Sequence, residues 1–320
     1  MTENRILMIG ANGQIGSLLT KALRKQYGQA NVVACDLSFP SEGTNHLPFE
    51  ILDPIDAAKL SFLVERYRIG QIYHMAAIPS MQGEINPVET WQINMSGLFN
   101  VLEIACEKKL SKVFFPSSVA VFGSNTPRIN TPQDTIRTPE TVYGMSKAAG
   151  ENWCSYYFNR YGLDIRSIRY PGVVGYESKF GSVLSDFATD IFQKAIKGEP
   201  CHCYLKENTR IPMLYVEDAV QATMDLMQAP IGKIAIRSSY NISGMSITPE
   251  ELAKEVRNYY PDFAITYKPD FRQKIVETCP ESLDDTVARE DWGWKPQYDL
   301  SKMTVEMIQR LKEARLNKRE

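Results

Sequence analysis

Three glycines at a fixed spacing near the start of the chain constrain its fold more than any other feature. Gly10, Gly13 and Gly16 follow an apolar, strand-like run at 5–10 and open a segment of helical periodicity at 14–27. In such a loop the first glycine permits a tight turn, the second lets backbone N–H groups approach a pyrophosphate, and the third lets helix and strand pack closely. The spacing therefore predicts a dinucleotide-binding loop.

Strand-like and helix-like segments alternate along the first half of the chain, which is typical of βαβ units around a parallel sheet. The sequence predicts strands at 5–10, 31–36, 71–77, 112–117, 164–170, 213–216 and 240–242. It predicts helices at 14–27, 55–68, 87–109, 138–161, 186–197, 217–228 and 248–259. The expected fold class is α/β, a Rossmann-type doubly wound parallel sheet with a smaller C-terminal substrate-binding lobe. The predicted Rossmann domain comprises residues 1–172 and about 211–243, and the lobe comprises 173–210 and about 244–320.

Asp36 ends the strand after the glycine loop and is the expected partner of a cofactor ribose. An acid about 20 residues beyond such glycines accepts hydrogen bonds from ribose hydroxyls. Its charge repels a 2′-phosphate, and the segment 36–43 has no Lys or Arg that could bind one, so the sequence favours NAD over NADP. Asp53 is a second acid in this region, and it either reaches the adenine amino group or caps the following helix.

A tyrosine and a lysine four residues apart, Tyr143 and Lys147, carry the predicted chemistry. On a helix, residues at i and i+4 lie on one face. Oxidation of an alcohol requires a base for the hydroxyl proton, and a tyrosine can serve if a neighbouring cation lowers its pKa from about 10. Tyr298 and Lys302 share the spacing, but they follow a Trp-rich segment near the C-terminus. We interpret Tyr298 as an ordinary aromatic residue before a surface helix.

Ser118 is the expected third member of this site. It follows the strand predicted at 112–117, and ligands of open α/β sheets bind beyond the carboxyl ends of the strands. A serine hydroxyl at that edge can hold the substrate oxygen beside Tyr143, although a turn or cap is the more common role of serine there. We predict Ser118, Tyr143 and Lys147 as the catalytic group.

Composition excludes several other classes of protein. Lys and Arg number 36 against 38 Asp and Glu, a net charge of −2, so the basic excess of nucleic-acid-binding proteins is missing. The apolar runs are shorter than the roughly 18 residues that span a bilayer, and the N-terminus lacks a signal-peptide layout, so we expect a cytoplasmic protein without a membrane partner. Cys201, His202 and Cys203 come closest to a metal motif, but successive strand residues point to opposite faces, and we expect no metal.

Taken together, these features resemble the extended short-chain dehydrogenase/reductase family. The residues that carry the resemblance are the loop 10–16, Asp36, Asp53, the run 74–77, Asn94, Ser117, Ser118 and the run 143–147. The runs 169–172, 211–218, 239–243, 245–251 and 291–294 look like the short-chain type of L-threonine 3-dehydrogenase, and the match extends from about residue 5 to 311. The resemblance implies NAD-dependent oxidation of L-threonine to 2-amino-3-oxobutyrate, with Tyr143 as base, Lys147 as its electrostatic partner and Ser118 orienting the hydroxyl.

The resemblance also implies two sets of binding residues and a homodimer. The cofactor set is Gly10, Asn12, Gly13, Gln14, Ile15, Gly16, Asp36, Leu37, Asp53, Ala76, Ala77, Asn94, Lys147, Tyr170 and Gly172. The substrate set is Ser80, Ser118, Tyr143, Leu184, Ser185 and Asp186. The long helices at 87–109 and 138–161 are the candidates for a four-helix dimer interface. Either that interface or the core of one chain accommodates the aromatic residues Trp153, Tyr156, Tyr157 and Phe158.

The substrate half departs from the threonine dehydrogenase pattern. In the segment 179–188, Leu184 stands where the family has a threonine, and a run of glycines is missing. Cys279 stands where the family has the tryptophan of a Ser-Trp-Pro motif. Two alternatives to L-threonine stay open: a different small hydroxy (amino) acid, and epimerisation or dehydration of a nucleotide sugar. Lys179 and Arg210 are candidates for contact with a charged substrate group, and an exposed salt bridge is the alternative for Arg210.

Overall fold

The computed structural model describes residues 5–40, 47–177 and 181–317. The strands are β1 Arg5–Ile9, β2 Val32–Asp36, β3 Phe49–Ile51, β4 Ile69–His74, β5 Lys112–Ser118, β6 Ile165–Tyr170, β7 Gly172–Val174, β8 Cys201–Cys203, β9 Ile211–Tyr215, β10 Tyr240–Asn241, β11 Met245–Ile247 and β12 Ile265–Tyr267. The helices are α1 Gln14–Tyr27, α2 Ala57–Arg66, α3 Ser80–Ile85, α4 Pro87–Glu107, α5 Val142–Tyr161, α6 Asp186–Lys197, α7 Val216–Gln228, α8 Pro249–Arg257, α9 Phe271–Glu277, α10 Thr286–Trp292 and α11 Leu300–Asn317. Short 3-10 helices lie at Gln29–Asn31, Val119–Val121 and Ile231–Lys233.

Within the described ranges, seven strands form one sheet in the order β10, β6, β5, β4, β1, β2, β3. All of its neighbouring pairs are parallel. From β1 the chain adds strands toward one edge of the sheet, and from β4 it adds strands toward the other edge. A doubly wound sheet of this kind leaves a crevice where the strand order reverses, beyond the carboxyl ends of β1 and β4. The predicted Rossmann-type α/β fold is confirmed.

Helices cover both faces of this sheet, which explains why its strands are apolar along most of their length. In β1, Ile6 and Met8 belong to one buried cluster, which includes residues of α1 and α7. Leu7 and Ile9 belong to a second cluster on the opposite face, which includes residues of α2, α4 and α5. The alternation follows from the two-residue period of a strand.

Two small sheets are built from the later part of the chain. β9 lies between β7 and β11, and β8 pairs with β12. The segment predicted as a strand of the Rossmann domain at 213–216 therefore pairs with β7, which directly follows β6, and with β11. The division of the chain at residues 172 and 211 stays a prediction.

Local signals determine where several helices begin. Thr248 and Glu251 form a reciprocal capping box at the start of α8. α5 begins at Val142 rather than at the predicted 138, because Thr141 caps it by accepting a hydrogen bond from the Gly144 N–H. Pro139 also disfavours helix at the residue before it. The consequence is that Tyr143 lies in the first turn of α5.

Candidate active site

The glycine loop connects β1 to α1 at the carboxyl edge of the sheet. Gly10 has a φ of +86°, and a Cβ there would come within 2.6 Å of the Ala76 nitrogen. A Cβ on Gly16 would lie 2.1 Å from the Gly10 carbonyl oxygen. Both positions therefore require glycine, the first because of its left-handed backbone and the close approach of the segment after β4, the second because α1 starts against the loop.

The first turn of α1 presents uncapped backbone N–H groups to an anion. Its N-cap residue is Gly13, which has no side chain, and no acidic residue lies in the turn. A Cβ on Gly13 would meet the Gly10 oxygen at 3.4 Å, an ordinary contact, so this glycine is not enclosed. Gln14 and Ile15 line the adjoining cleft. A pyrophosphate is the kind of group that a helix N-terminus of this form accommodates, so the loop fits a dinucleotide.

Asp36 joins the end of β2 to the glycine loop. One carboxylate oxygen accepts a hydrogen bond from the Asn12 N–H and the other from the Leu37 N–H, both at 2.8 Å. The Asn12 side chain donates to the Ser38 carbonyl at 2.8 Å. These bonds hold the carboxylate beside the loop, and each oxygen has a further lone pair for a ribose hydroxyl.

One cleft is lined by the glycine loop and by Ser118, Tyr143 and Lys147. β5 ends at Ser118 and α5 begins one residue before Tyr143, so these elements bring the three side chains to the same edge of the sheet. The Ser118 side chain is hydrogen-bonded to the Tyr143 phenol, and its Oγ also accepts from the Ala120 N–H at 3.1 Å. Lys147 Nζ lies 5.4 Å from the centre of the Tyr143 ring. The structure therefore brings the three predicted catalytic residues together.

Desolvation changes the pKa values of Tyr143 and Lys147. It raises the pKa of Tyr143 to about 12, against a smaller lowering by the Ser118 hydrogen bond. It lowers the pKa of Lys147 to about 8. Desolvation of the phenol dominates the pKa of Tyr143 and Ser118 provides the opposing contribution, so the electrostatic role of Lys147 toward the phenolate stays a prediction.

A buried ion cluster supports the end of β5. Glu151, which is fully buried, accepts hydrogen bonds from Ser117 Oγ at 2.6 Å and from Arg137 at 2.5 Å. It also accepts two bonds from Arg169 at 2.9 Å. Sequence reasoning missed this cluster, although an arginine inside a buried strand such as β6 is a signal, since a buried charge requires a partner. The cluster fixes Ser117, the neighbour of Ser118.

The predicted substrate residues divide into two groups. Ser80, Leu184 and Ser185 line the cleft, and Ser80 Oγ accepts from the Val183 N–H at 3.4 Å. Asp186 instead directs one carboxylate oxygen to the N–H groups of Gly181 and Ser182, at 2.7 and 3.1 Å. In this position Asp186 holds the loop that precedes α6.

Of the remaining cofactor residues, Ala77 and Tyr170 line the cleft. The Tyr170 hydroxyl points away from it, since it is hydrogen-bonded to Thr223 of α7. Asn94 bonds the N–H and the carbonyl of Ile78, at 2.8 and 3.3 Å, and so fixes the segment after β4. Gly172 lies in β7, where a Cβ would come within 2.6 Å of Met213 Sδ.

Three further candidates are placed as follows. Asp53 accepts a hydrogen bond from the Ile55 N–H, but the residue that caps α2 is Asp56, so the capping alternative for Asp53 is wrong. Arg210 bonds Glu251 and the Ser246 carbonyl, which is the salt-bridge alternative. Lys179 lies outside the described residues.

Tyr298 and Lys302, the second Tyr-Lys pair, have a packing role. The Tyr298 ring lies 4.5 Å from that of Tyr215, and Lys302 Nζ lies 4.2 Å from its centre. Sequence reasoning also missed Glu140, which lines the cleft three residues before Tyr143. A single glutamate in a loop carries no pattern that separates it from any surface carboxylate, so its placement had to come from the fold.

Metal and membrane features were searched over the described parts of the chain. Within them, no group of three or more His, Cys, Asp and Glu residues is arranged to hold a metal ion. Cys201 and Cys203 are buried on one face of β8 and His202 is exposed on the other, as the strand period predicts. No helix among the described residues has the length and apolar character needed to cross a bilayer.

Comparison with known proteins identifies the family. The chain belongs to the NAD dependent epimerase/dehydratase family, whose model matches residues 6–243. An uncharacterized epimerase/dehydratase of Staphylococcus saprophyticus is 43% identical over 307 residues, which is 95% of this chain and 96% of the relative. The protein is thus an enzyme of the extended short-chain dehydrogenase/reductase type, an oxidoreductase for which a nicotinamide cofactor is indicated.

Among solved structures, this chain is similar to L-threonine dehydrogenases. The GalE-like L-threonine dehydrogenase from Cupriavidus necator, in its holo form, is 48% identical with a TM-score of 0.93, covering 96% of this chain and 99% of that one. A monomeric L-threonine 3-dehydrogenase from a metagenome is 42% identical with a TM-score of 0.93, covering 97% and 99%. The near-complete coverage shows that this chain has the architecture of these enzymes throughout.

Proposed function

We propose that this protein oxidises the 3-hydroxyl of L-threonine to 2-amino-3-oxobutyrate with NAD⁺ as the hydride acceptor. The observation that carries the proposal is the meeting of Ser118, Tyr143 and Lys147 in a cleft that is also lined by the glycine loop. The likeness to L-threonine dehydrogenases over nearly the whole chain supports the choice of substrate.

NAD rather than NADP is proposed because of Asp36. Its carboxylate, fixed by the Asn12 and Leu37 N–H groups, offers acceptors to ribose hydroxyls and repels a 2′-phosphate. Gly10, Gly13 and Gly16 form the proposed pyrophosphate site. The part of the proposed cofactor site that would receive the nicotinamide is formed or supported by Ala76, Ala77, Asn94, Tyr170 and Gly172. The part that would receive the adenine is assigned to Asp53 and Leu37.

The proposed mechanism assigns one role to each catalytic side chain. Bound NAD⁺ supplies the acceptor for the hydride that leaves the substrate carbon. Ser118 holds the substrate hydroxyl, and Tyr143 in its phenolate form accepts the hydroxyl proton, so that the phenol oxygen becomes neutral while the hydride leaves the substrate carbon. The Lys147 ammonium stabilises that phenolate in a desolvated setting, where a charge acts more strongly than in water.

The proposed substrate site comprises Ser80, Leu184 and Ser185 beside the catalytic residues. Ser80 and Ser185 supply hydroxyls for a polar amino acid, and Asp186 holds the loop that carries Leu184 and Ser185. We assign these residues to the substrate-binding lobe, 173–210 and about 244–320, and the cofactor residues to the Rossmann domain. The proposed site of action is the cytoplasm.

A different small hydroxy (amino) acid is the second candidate substrate, and the apolar wall of the cleft favours it. Leu184 and Val183 face the cleft together with Ile275 and Cys279 of the C-terminal segment. Apolar side chains here accommodate a longer or more apolar substrate side chain than the methyl group of threonine. A nucleotide sugar is disfavoured, because its diphosphate requires cations and the one described cation of the cleft is Lys147.

A homodimer through α4 and α5 is also proposed. Trp91 of α4 and Trp153 and Tyr156 of α5 are 40%, 38% and 49% exposed, and the rings of Trp153 and Tyr156 pack together at 5.6 Å. Large aromatic side chains exposed as a group mark an interaction surface. The other two aromatic residues of this segment pack within one protomer rather than at the proposed interface. Tyr157 is buried against Glu103, and Phe158 packs under Arg237.

The decisive experiment for the substrate is NADH formation by the purified protein with NAD⁺ and a panel of hydroxy compounds. The panel contains L-threonine, D-threonine, L-serine, 3-hydroxybutyrate and UDP-sugars. The proposal predicts the highest kcat/KM for L-threonine and little activity with NADP⁺. Preference for another hydroxy acid would favour the second candidate, and interconversion of UDP-sugars without net NADH would reject both.

A further inference from the structure

Glu140 adds a negative charge to the cleft, and the proposed mechanism assigns no role to this charge. Among the described residues that line the cleft, Lys147 and Glu140 carry charge, and the others are apolar or neutral. Lys147 Nζ lies 5.4 Å from the centre of the Tyr143 ring, and its proposed role is toward the phenolate. Glu140 is therefore the carboxylate available to a bound substrate.

The Glu140 side chain is exposed at the cleft and is held by Ser124. Oε1 accepts a hydrogen bond from the Ser124 N–H at 2.9 Å, and the Ser124 side chain donates a second bond. Both bonds lower the pKa of Glu140. A carboxylate accepts about four hydrogen bonds in all, so it retains capacity for a ligand.

On the Cys279 side of the cleft, the nearby Arg128 donates to the Cys279 carbonyl at 3.2 Å and is paired with Glu281 at 3.3 Å. Burial raises the pKa of the Cys279 thiol to about 11, Thr278 and the Arg128 charge oppose that rise, and the Glu140 charge adds a smaller contribution to it. Ile275, Thr278 and Cys279 line this side of the cleft. Because Arg128 is paired with Glu281, Glu140 is the carboxylate among the described lining residues that a cationic substrate group would meet.

We propose that Glu140 binds a protonated amine of the substrate and so selects ammonium-bearing alcohols over neutral or anionic ones. The inference rests on the proposed function: in L-threonine the ammonium is on the carbon next to the one that bears the hydroxyl, so a hydroxyl held by Ser118 and Tyr143 brings the ammonium into the same part of the cleft. A charge-assisted hydrogen bond of this kind changes affinity by about tenfold or more.

Two ligands that differ by one ammonium group test the inference. L-2-Aminobutyrate and butyrate have the carbon skeleton of threonine but no 3-hydroxyl, so neither can be oxidised there. Their dissociation constants are measured by calorimetry on NADH-saturated enzyme. Glu140→Gln is expected to raise the dissociation constant of L-2-aminobutyrate by about tenfold and to leave that of butyrate unchanged or lower.

Asp284→Asn is the matched control, since Asp284 likewise accepts bonds from the backbone and side chain of one residue, Thr286, away from the cleft. It is expected to bind both ligands like the wild type. Glu140→Asp keeps the charge and is expected to keep most of the preference for L-2-aminobutyrate, which covers the case of a Glu140→Gln protein that fails to fold.

An equal ratio of the two affinities in wild type, Glu140→Gln and Glu140→Asp would overturn the inference. The same applies if the wild type shows no preference for the amine. Failure of the proposed function is a separate outcome: an enzyme that does not oxidise L-threonine but binds L-2-aminobutyrate through Glu140 would retain the amine site and lose the assigned substrate.

Discussion

The side chains of Tyr143 and Lys147 lie one turn apart in α5, and desolvation moves their pKa values apart, that of Tyr143 upward and that of Lys147 downward. The sequence predicted both residues, because i and i+4 share a helix face and the pair follows a strand end. It could not predict how strongly each group is desolvated, since that depends on Phe115, Ser118 and the other residues packed around them. Glu140 escaped prediction because a single glutamate in a loop carries no sequence pattern that separates it from other surface carboxylates.

Lys147→Met is expected to stabilise the fold while it removes activity. Burial lowers the pKa of Lys147 from 10.5 to about 8, so at pH 7 the folded protein holds a cation at a cost of about 1.4 kcal/mol per pKa unit. Thermal unfolding at pH 7 is expected to shift upward and L-threonine oxidation to fall by about 100-fold or more. Lys302→Met, at the exposed second Tyr-Lys pair, is the control for both readouts. A lower Tm for Lys147→Met would contradict the account.

His74 makes stability depend on pH. It is 2% exposed at the end of β4, and burial, with a contribution from the Lys147 charge, lowers its pKa from 6.5 to about 3. The unfolded chain therefore binds a proton near pH 6.5 that the folded protein excludes until about pH 3. Stability is present above pH 6.5 and declines as the pH falls, by about 2 kcal/mol between pH 7 and 5.

Urea unfolding at pH 7, 6 and 5 measures this contribution. His74→Gln is expected to show a flatter pH dependence than the wild type. His202→Gln, at an exposed position of β8, is expected to keep the wild-type slope. Parallel curves for the wild type and His74→Gln would show that the histidine is not the source.

At the scale of elements, the sequence predicted most of those that are long enough to show a period, although it assigned no bounds to α11, the surface helix after Tyr298. α1 has the predicted bounds, and α4 and β5 differ from prediction by at most two residues at each end. The three-residue strands β3, β7, β8, β11 and β12 were missed, as were the short helices α3, α9 and α10. Elements of this length complete no more than two turns or two strand periods, so tertiary pairing rather than local pattern defines them.

Gly144→Ala is expected to damage both the fold and the site. A Cβ at position 144 would lie 2.1 Å from the Ala120 carbonyl oxygen, and backbone atoms there cannot yield without moving α5 away from Ser118. We expect a loss of about 1–3 kcal/mol or more in the free energy of unfolding, together with a fall in kcat. Gly232→Ala, where a Cβ has no described atom within 4 Å, is the matched control. Equal stability of the two variants would contradict the packing argument.

At the scale of the whole molecule, the doubly wound order explains why one cleft collects residues from distant parts of the chain. The carboxyl ends of β1, β4 and β5 lie side by side, so the glycine loop, Ala77 and Ser118 become neighbours. The sequence predicted this edge through the parallel βαβ pattern. It could not distinguish interface from core among the aromatic residues of α5, since both environments select the same residue types.

Tyr156→Glu is expected to convert a dimer into a monomer. Tyr156 is exposed on α5 within the proposed interface, and a carboxylate there would be desolvated on association. Multi-angle light scattering measures the mass in solution. Tyr259→Glu is the matched control, because Tyr259 is 44% exposed two residues beyond the end of α8, and the variant is expected to remain dimeric. A monomeric wild type, like the metagenomic relative, would reject the dimer.

The measurement that tests the central claim most directly is the effect of Tyr143→Phe on turnover and on cofactor binding. Loss of one hydroxyl removes the proposed base while the glycine loop and Asp36 remain, so L-threonine oxidation is expected to fall by about 100-fold to 10,000-fold. The dissociation constant of NAD⁺, measured by calorimetry, is expected to stay within about threefold of the wild type. Oxidation of L-threonine at a near-wild-type rate by Tyr143→Phe would contradict the assignment of the catalytic group.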